Sequence, residues 1–289
     1  MSSQRNAPPH DAAGRPGKAE WKIVRRPNYG RWTVDAAIVL FVGALAWLSV
    51  MNPNFQWDVV GKYFFHPAVL SGLKTTLMLT VLAMIAGSMI GVIVSLFLLA
   101  NGKLLSAFAA AYIWLFRGTP LLVQLIFWFN ISALYPQIAI GLPGGPYLFS
   151  FSGNAITPFM AAFLGLALHE GAYMAEIVRG GILAVGRGQS EAAVSLGMTK
   201  LKAFWRITLP QALRLIVPAT GNQVILMLKT TSLVSVIALP ELLYSVQNIY
   251  ARTFEVIPLL IVASLWYLLM CSVLSILQYF LERRLGRGF

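Results

Sequence analysis

Apolar residues run through this chain in long unbroken blocks, not in the short alternations of a water-soluble domain. Six blocks, at about 33–51, 69–99, 119–140, 157–178, 212–238 and 258–281, reach the length that a helix needs to cross a bilayer. About 20 apolar residues suffice for a hydrocarbon layer of roughly 30 Å. A seventh run, Leu104 to Phe116, is too short and stops at Arg117-Gly118-Thr119-Pro120, which predicts a short helix lying at the cytoplasmic boundary. The expected fold is all-α and membrane-integral, with about six transmembrane helices.

Charge between the blocks sets the expected orientation. The stretch 1–32 holds Arg5, Arg15, Lys18, Lys22, Arg25, Arg26 and Arg31 and reads as a disordered basic tail on the cytoplasmic side. The run at 33–51 has no small-residue cleavage pattern and reads as an uncleaved helix. With six crossings the basic segments fall on one side: Lys103 to Arg117, the loop from Arg179 to Arg214, and a tail with Arg283, Arg284 and Arg287. Both termini are then cytoplasmic. The connections 52–68, 141–156 and 239–257 fall outside and offer only Lys62, His66 and Arg252 as basic candidates. Gly141, Pro143, Gly144, Gly145 and Pro146 predict a turn-rich external loop. Gly87-x3-Gly91 in the second crossing permits close helix packing.

Composition narrows the function classes. Of 289 residues 58% are hydrophobic and only 11% charged, less than half the usual charged share of about 25%. The formal net charge of +12 is spread in short blocks beside apolar runs, which suits bilayer anchoring and not nucleic-acid binding. Cys271 is the single cysteine, so neither an intrachain disulfide nor a cysteine metal cage can form. His10, His66 and His169 are too scattered for a metal cluster, and no HExxH, GxSxG or paired-aspartate motif appears, so no catalytic and no metal residues are assigned. A phosphate-binding Gly-x4-Gly-Lys-Ser/Thr loop is also missing from the sequence. Any ATP used in the process must be hydrolysed by another chain.

The most informative polar insert is the loop at about 187–210, with Glu191-Ala192-Ala193-x3-Gly197-x9-Ile207-x-Leu209-Pro210. Ser190 is suited to cap a short helix with Glu191 in its first turn, and Gly197 to close it in a left-handed conformation. Thr199 then starts a second helix with Leu201, Phe204 and Trp205 on one face. Leu209-Pro210 is expected to end that helix and begin the next crossing. An amphipathic loop resting on the membrane surface is the alternative.

This insert resembles the EAA loop by which a type I ABC importer permease engages its ATPase. Further stretches resemble the polar amino acid uptake group: Arg117-Gly118-Thr119-Pro120-Leu121-Leu122-Val123-Gln124, Gly171-Ala172-Tyr173-Met174-Ala175-Glu176-Ile177-Val178-Arg179-Gly180-Gly181-Ile182, and Lys229-Thr230-Thr231-Ser232-Leu233. That group includes permeases for histidine, glutamine, glutamate, arginine and opines. The resemblance covers a permease core at 68–285 and leaves 33–51 as an additional N-terminal transmembrane helix. It implies a chain that is no enzyme and binds no cofactor, with ATP used by a dimer of partner ATPases. It also implies a second permease subunit, an extracytoplasmic solute-binding protein, an amino acid substrate and residence in the bacterial inner membrane. ATPase coupling then falls to Glu191, Ala192, Ala193, Gly197, Leu201, Phe204, Leu209 and Pro210.

Ionisable side chains inside membrane helices are costly and mark pathways, partners or interfaces. His169, Glu170 and Tyr173 interrupt the fourth crossing; Asn222, Gln223, Lys229, Thr230, Thr231 and Ser232 interrupt the fifth. His169, Glu170, Tyr173 and Gln124 are assigned to the substrate path, where the Glu170 carboxylate meets the ammonium of an amino acid. The alternative for Glu170 is a helix-bundle pair or an internal network with His169. Lys229 and the hydroxyls after it line the path or bond neighbouring helices, and a Glu170–Lys229 salt bridge is open. Glu176 and Arg179 form a local ion pair. An ion-coupled transporter or channel using Glu170 and Lys229 is the alternative in another class, and an opine or other zwitterion is the alternative solute.

Overall fold

The computed structural model describes residues 29–100, 102–141, 147–152 and 156–285. The expected basic tail lies almost wholly outside them. The chain divides into two units at Pro53/Asn54. In the first, α1 (Tyr29–Met51) contains a 20-residue apolar stretch, Trp32–Met51, with mean hydropathy 2.2 and no buried side chain, as suits a helix facing lipid.

The second unit opens with α2 (Trp57–Phe64), followed by the 33-residue α3 (Pro67–Leu99). Pro67 stands in the first turn of α3, where a missing N–H costs nothing, and His66 caps it. A stripe of small and medium residues, Gly72, Thr76, Ala83, Gly87 and Gly91, is the buried side of α3. It packs against α7 (Pro158–Ala184), whose buried side carries Gly165, Glu170, Gly171 and Gly181. A Cβ on Gly87 would sit 2.7 Å from the Cβ of Glu170, and one on Gly171 2.7 Å from Ile90 Cγ2. The glycines thus let two backbones approach, as the Gly87-x3-Gly91 spacing predicts.

The segment expected to cross at 119–140 does not do so as one helix. α4 (Lys103–Gly118) and the nine-residue α5 (Leu121–Phe129) meet at 100°, and a short α6 (Ile131–Leu134) follows. Pro120 drives the corner, since it keeps Thr119 out of the helical region, at φ −113° and ψ 143°. Beyond α6 an antiparallel hairpin of β1 (Gln137–Gly141) and β2 (Tyr147–Ser152) replaces the end of the expected crossing and part of the expected turn-rich loop. The described residues are therefore helical except for this hairpin. Apolarity alone does not separate a helix from a short strand, which is why the run read as a crossing.

The loop after α7 holds α8 (Arg187–Ser195) and α9 (Lys200–Ala203). A π-helical turn, Phe204–Thr208, then leads without interruption into α10 (Leu209–Thr230). Two expectations are corrected by this. α8 starts three residues before Ser190, with Gly186 at its cap, and the second short helix does not end at Leu209-Pro210. The wider π turn, with Leu209 N bonded to Phe204 O, admits a prolyl ring inside a continuous helix. After α10 the chain tightens into a 3-10 turn, Thr231–Ile237, and reaches α11 (Leu242–Thr253) and α12 (Val256–Leu285).

By length and apolarity three helices qualify as spans, or up to five if each of two bent pairs counts as one. α7 is not among them because His169, Glu170 and Tyr173 lower its apolarity. Its 27 residues nonetheless measure about 40 Å at 1.5 Å each, more than the bilayer core. One core joins α3, α5, α7 and α10 through Leu79, Leu125, Leu166 and Met227. Another joins α2, α3, α11 and α12 through Val60, Val69, Leu242 and Val262. Glu241, wholly buried, fastens this second core: its carboxylate accepts from Thr76 Oγ1 at 3.3 Å, Tyr267 OH at 3.0 Å and Tyr244 N at 2.7 Å.

Candidate functional site

Two places gather the residues that the sequence singled out. The first is the α8–α9 element. Gly197 sits at φ +84°, a conformation that costs an L-residue about 1–2 kcal/mol. Its N–H donates to Val194 O at 2.9 Å and that of Met198 to Ala193 O at 3.1 Å, the two bonds of a Schellman closure. Thr199 then caps α9, its hydroxyl accepting from Lys202 N at 3.3 Å. The expected left-handed glycine and threonine cap are both in place.

Ala193 and Ala203 are buried and clamp this element together, while Glu191 and Ala192 are exposed. A cleft of about 560 Å³ separates the two short helices, with Glu191, Val194, Lys200 and Phe204 on its walls. Beside it Leu196, Leu201 and Trp205 are 85%, 69% and 60% exposed. Large apolar side chains displayed on a polar loop form a surface suited to a partner. Leu209 is half-buried and Pro210 exposed, inside the continuous helix described above.

The second place is a cavity of about 110 Å³ between α7 and α10. His169, Glu170 and Tyr173 face Gln223, Met227 and Thr230 across it. Glu170 is 4% exposed, and its Oε1 has no hydrogen-bond partner among the described residues; the same holds for His169 Nδ1. The rings of His169 and Tyr173 lie 5.0 Å apart, and the Arg117 guanidinium stacks over Tyr173 at 5.1 Å. A cation, Arg117, and a buried carboxylate, Glu170, thus share this cluster with Tyr173.

Not every predicted path residue joins this cavity. Gln124 is buried at the α4–α5 corner, where Nε2 donates to Phe116 O at 2.9 Å and to Thr119 Oγ1 at 2.8 Å. It ties off the helix ends that Pro120 separates. Lys229 is exposed, and no Glu170–Lys229 ion pair exists among the described residues. The hydroxyls of Thr230, Thr231 and Ser232 donate to carbonyls of their own helix, at 2.9, 2.7 and 2.7 Å. The expected Glu176–Arg179 pair is present at 2.7 Å. Arg117 and Gln223 belong to the cluster without having been assigned to it. Arg117 read as a boundary charge, but α4 packs on α7, with Tyr112 OH donating to Leu168 O, and carries Arg117 to Tyr173.

Residues 83–287 match the family described as binding-protein-dependent transport system inner membrane component. The chain belongs to this family. It is a transport subunit and not an enzyme, and its membership does not favour an ion-coupled transporter or channel. The arginine transport system permease protein ArgU of Corynebacterium glutamicum is 41% identical, with 99% of this chain and 89% of that protein covered, so α1 falls within the shared region. The L-cystine permease protein TcyB of Bacillus subtilis is 36% identical over 82% of this chain and 94% of its own. The glutamine permease protein GlnP of Escherichia coli is 33% identical over 80% and 98%. A crystal structure of an amino acid ABC transporter with histidines shares 37% identity and superposes with a TM-score of 0.67, covering 81% of this chain and all of the other. An inward-facing methionine ABC transporter, MetNI, shares the fold at 17% identity and a TM-score of 0.57, over 75% and 95%. The fold is that of a type I importer membrane subunit.

Proposed function

We propose that this chain forms the translocation pathway of an ATP-driven amino acid importer, with Glu170 as the contact for the solute's ammonium group. One observation carries the reading: a buried carboxylate oxygen with no partner among the described residues, at a cavity between two long helices. Burying a charge without a partner is costly, so a site of this kind is built for something that arrives. Arg117, held over Tyr173, supplies the opposite charge and suits the solute's carboxylate. The pair fits a zwitterion better than a neutral solute.

The cavity of about 110 Å³ admits a charged head group but is smaller than the roughly 300 Å³ of an ordinary small-molecule pocket. Passage therefore requires α7 and α10 to part, which is work for the partner ATPases. These dock on the surface of Leu196, Leu201 and Trp205, with Gly197 fixing the angle between α8 and α9, and their closure biases the permease between inward-facing and outward-facing states. A second permease subunit completes the path and a binding protein delivers solute from outside, with both termini of this chain in the cytoplasm.

Arginine is the first solute to test, supported by the identity to ArgU along nearly the whole chain. Glu170→Gln removes the charge at nearly constant shape. It should raise the half-saturation concentration for arginine by about tenfold or more, the loss of one hydrogen bond to a charged group. Unchanged affinity and solute range in an assembled complex would remove Glu170 from the path.

A further inference from the structure

Two neighbouring hollows on α3 take no part in the pathway. The first, about 470 Å³, has Tyr63, His66, Ser71, Asn248 and Arg252 among its walls; Arg252 is the only charge there, and none of its lining residues is a carboxylate. His66 Nδ1 accepts from Ala68 N at 3.3 Å, which leaves Nε2 as the ring donor. Arg252 has no ion pair among the described residues. Asp58 and Glu255, though near in sequence, line neither hollow.

The second hollow, about 530 Å³, runs along α3 from Leu70 to Leu82 and is walled by leucines, Met78 and Val81. Its one polar wall residue is Lys74, exposed and one turn from Ser71. A lysine stem of this length lies along apolar surface and carries its ammonium toward the headgroup level. Twelve helical steps from Leu70 to Leu82 measure about 18 Å, close to half of a roughly 30 Å hydrocarbon layer.

Aromatic residues mark this end of α3 as the membrane surface. Phe64 stacks on Trp266 at 4.8 Å, Trp266 Nε1 donates to Phe64 O at 2.9 Å, and Phe65 and Phe254 are 69% and 87% exposed. Trp266 among them is of the type enriched where headgroups begin.

We infer that the two hollows form one site for an anionic phospholipid. Arg252, Lys74 and the neutral donors of the first hollow hold the phosphate, and one acyl chain lies in the groove below. Two cations without a carboxylate favour a headgroup of net negative charge over a zwitterionic one. Inorganic phosphate shares the headgroup chemistry but has nothing for the groove.

Native mass spectrometry of the complete importer, purified with its ATPase in micelles of equimolar phosphatidylglycerol and phosphatidylcholine, tests this without ATP or solute. Its outcome is therefore independent of the transport assignment. Phosphatidylglycerol should stay bound under activation that strips phosphatidylcholine, and excess inorganic phosphate should not displace it. In Arg252→Gln/Lys74→Gln, retention should fall about tenfold or more, as expected for lost hydrogen bonds to charge. Leu77→Trp, which fills the groove and touches no charge, should lower it as well. If the double variant does not assemble, Leu77→Trp carries the test alone. Equal retention of both lipids, wild-type retention in the variants, or displacement by phosphate would overturn the inference. So would a loss of binding-protein affinity in the double variant with lipid retention intact, which would make this a protein-docking face.

Discussion

Gly87 links helix packing to the transport site, and adding one methyl group there tests both. In Gly87→Ala the new Cβ would fall 2.7 Å from Glu170 Cβ and 2.8 Å from its Cγ, with Ala167 O at 3.2 Å. Carbon atoms rest about 3.5–4.0 Å apart, so α3 and α7 must open by about 1 Å or Glu170 must move. Overpacking of this kind costs about 1–3 kcal/mol. The same methyl at Gly180, also on α7, meets nothing within 4 Å, and in a helix alanine is the better residue. Thermal unfolding of the purified complex and initial uptake rates should therefore separate the two variants. Gly87→Ala lowers the thermal midpoint and slows uptake severalfold, while Gly180→Ala leaves both near wild type. Gly91→Ala strikes Met174 and Ala175 one turn away, and should cost stability with a smaller effect on uptake. If Gly87→Ala matched Gly180→Ala in both assays, the tight α3–α7 seam and its hold on Glu170 would be refuted.

Other consequences are as direct. Gly197→Pro forbids the left-handed conformation and removes the N–H that donates to Val194, so ATP hydrolysis should continue while uptake is lost from a protein that still reaches the membrane. Normal uptake in that variant would end the coupling role of Gly197. Glu241→Leu strands three donors around Thr76, Tyr244 and Tyr267, each worth about 1–3 kcal/mol when left unpaired. Its thermal midpoint should drop well below that of Glu241→Gln, which keeps an acceptor. Trp205→Ala should weaken ATPase co-purification without lowering the thermal midpoint of the permease, because the side chain is 60% exposed; a stability loss instead would mean that Trp205 packs within the permease.

Much of this was legible in the sequence, for identifiable reasons. Gly197, Thr199 and the Gly87-x3-Gly91 stripe act through local rules of backbone conformation and helix spacing, and each stands where those rules put it. His169, Glu170 and Tyr173 were conspicuous because polar groups inside an apolar run need a reason. What failed depends on direction and not on composition. The run at 119–140 is largely apolar, yet Pro120 turns it through a corner and its last four residues pair in a hairpin. The packing of α4 on α7 places Arg117 beside Tyr173, a contact between residues 56 positions apart that no local pattern announces. Pro210 stands in the first turn of α10 as expected, but a π turn joins that helix to the one before it where a break was expected. The hydroxyls of Thr230, Thr231 and Ser232 bond back to their own chain segment, as such residues often do, and of the three Thr230 lines the cavity.

The most direct measurement is uptake into proteoliposomes that contain this chain, its ATPase and any partner permease, with ATP inside and labelled amino acids and binding protein outside. ATP-dependent accumulation of an amino acid, abolished when either the ATPase or the binding protein is left out, is the predicted result. Flux driven by an ion gradient, with neither ATP nor ATPase present, would contradict it.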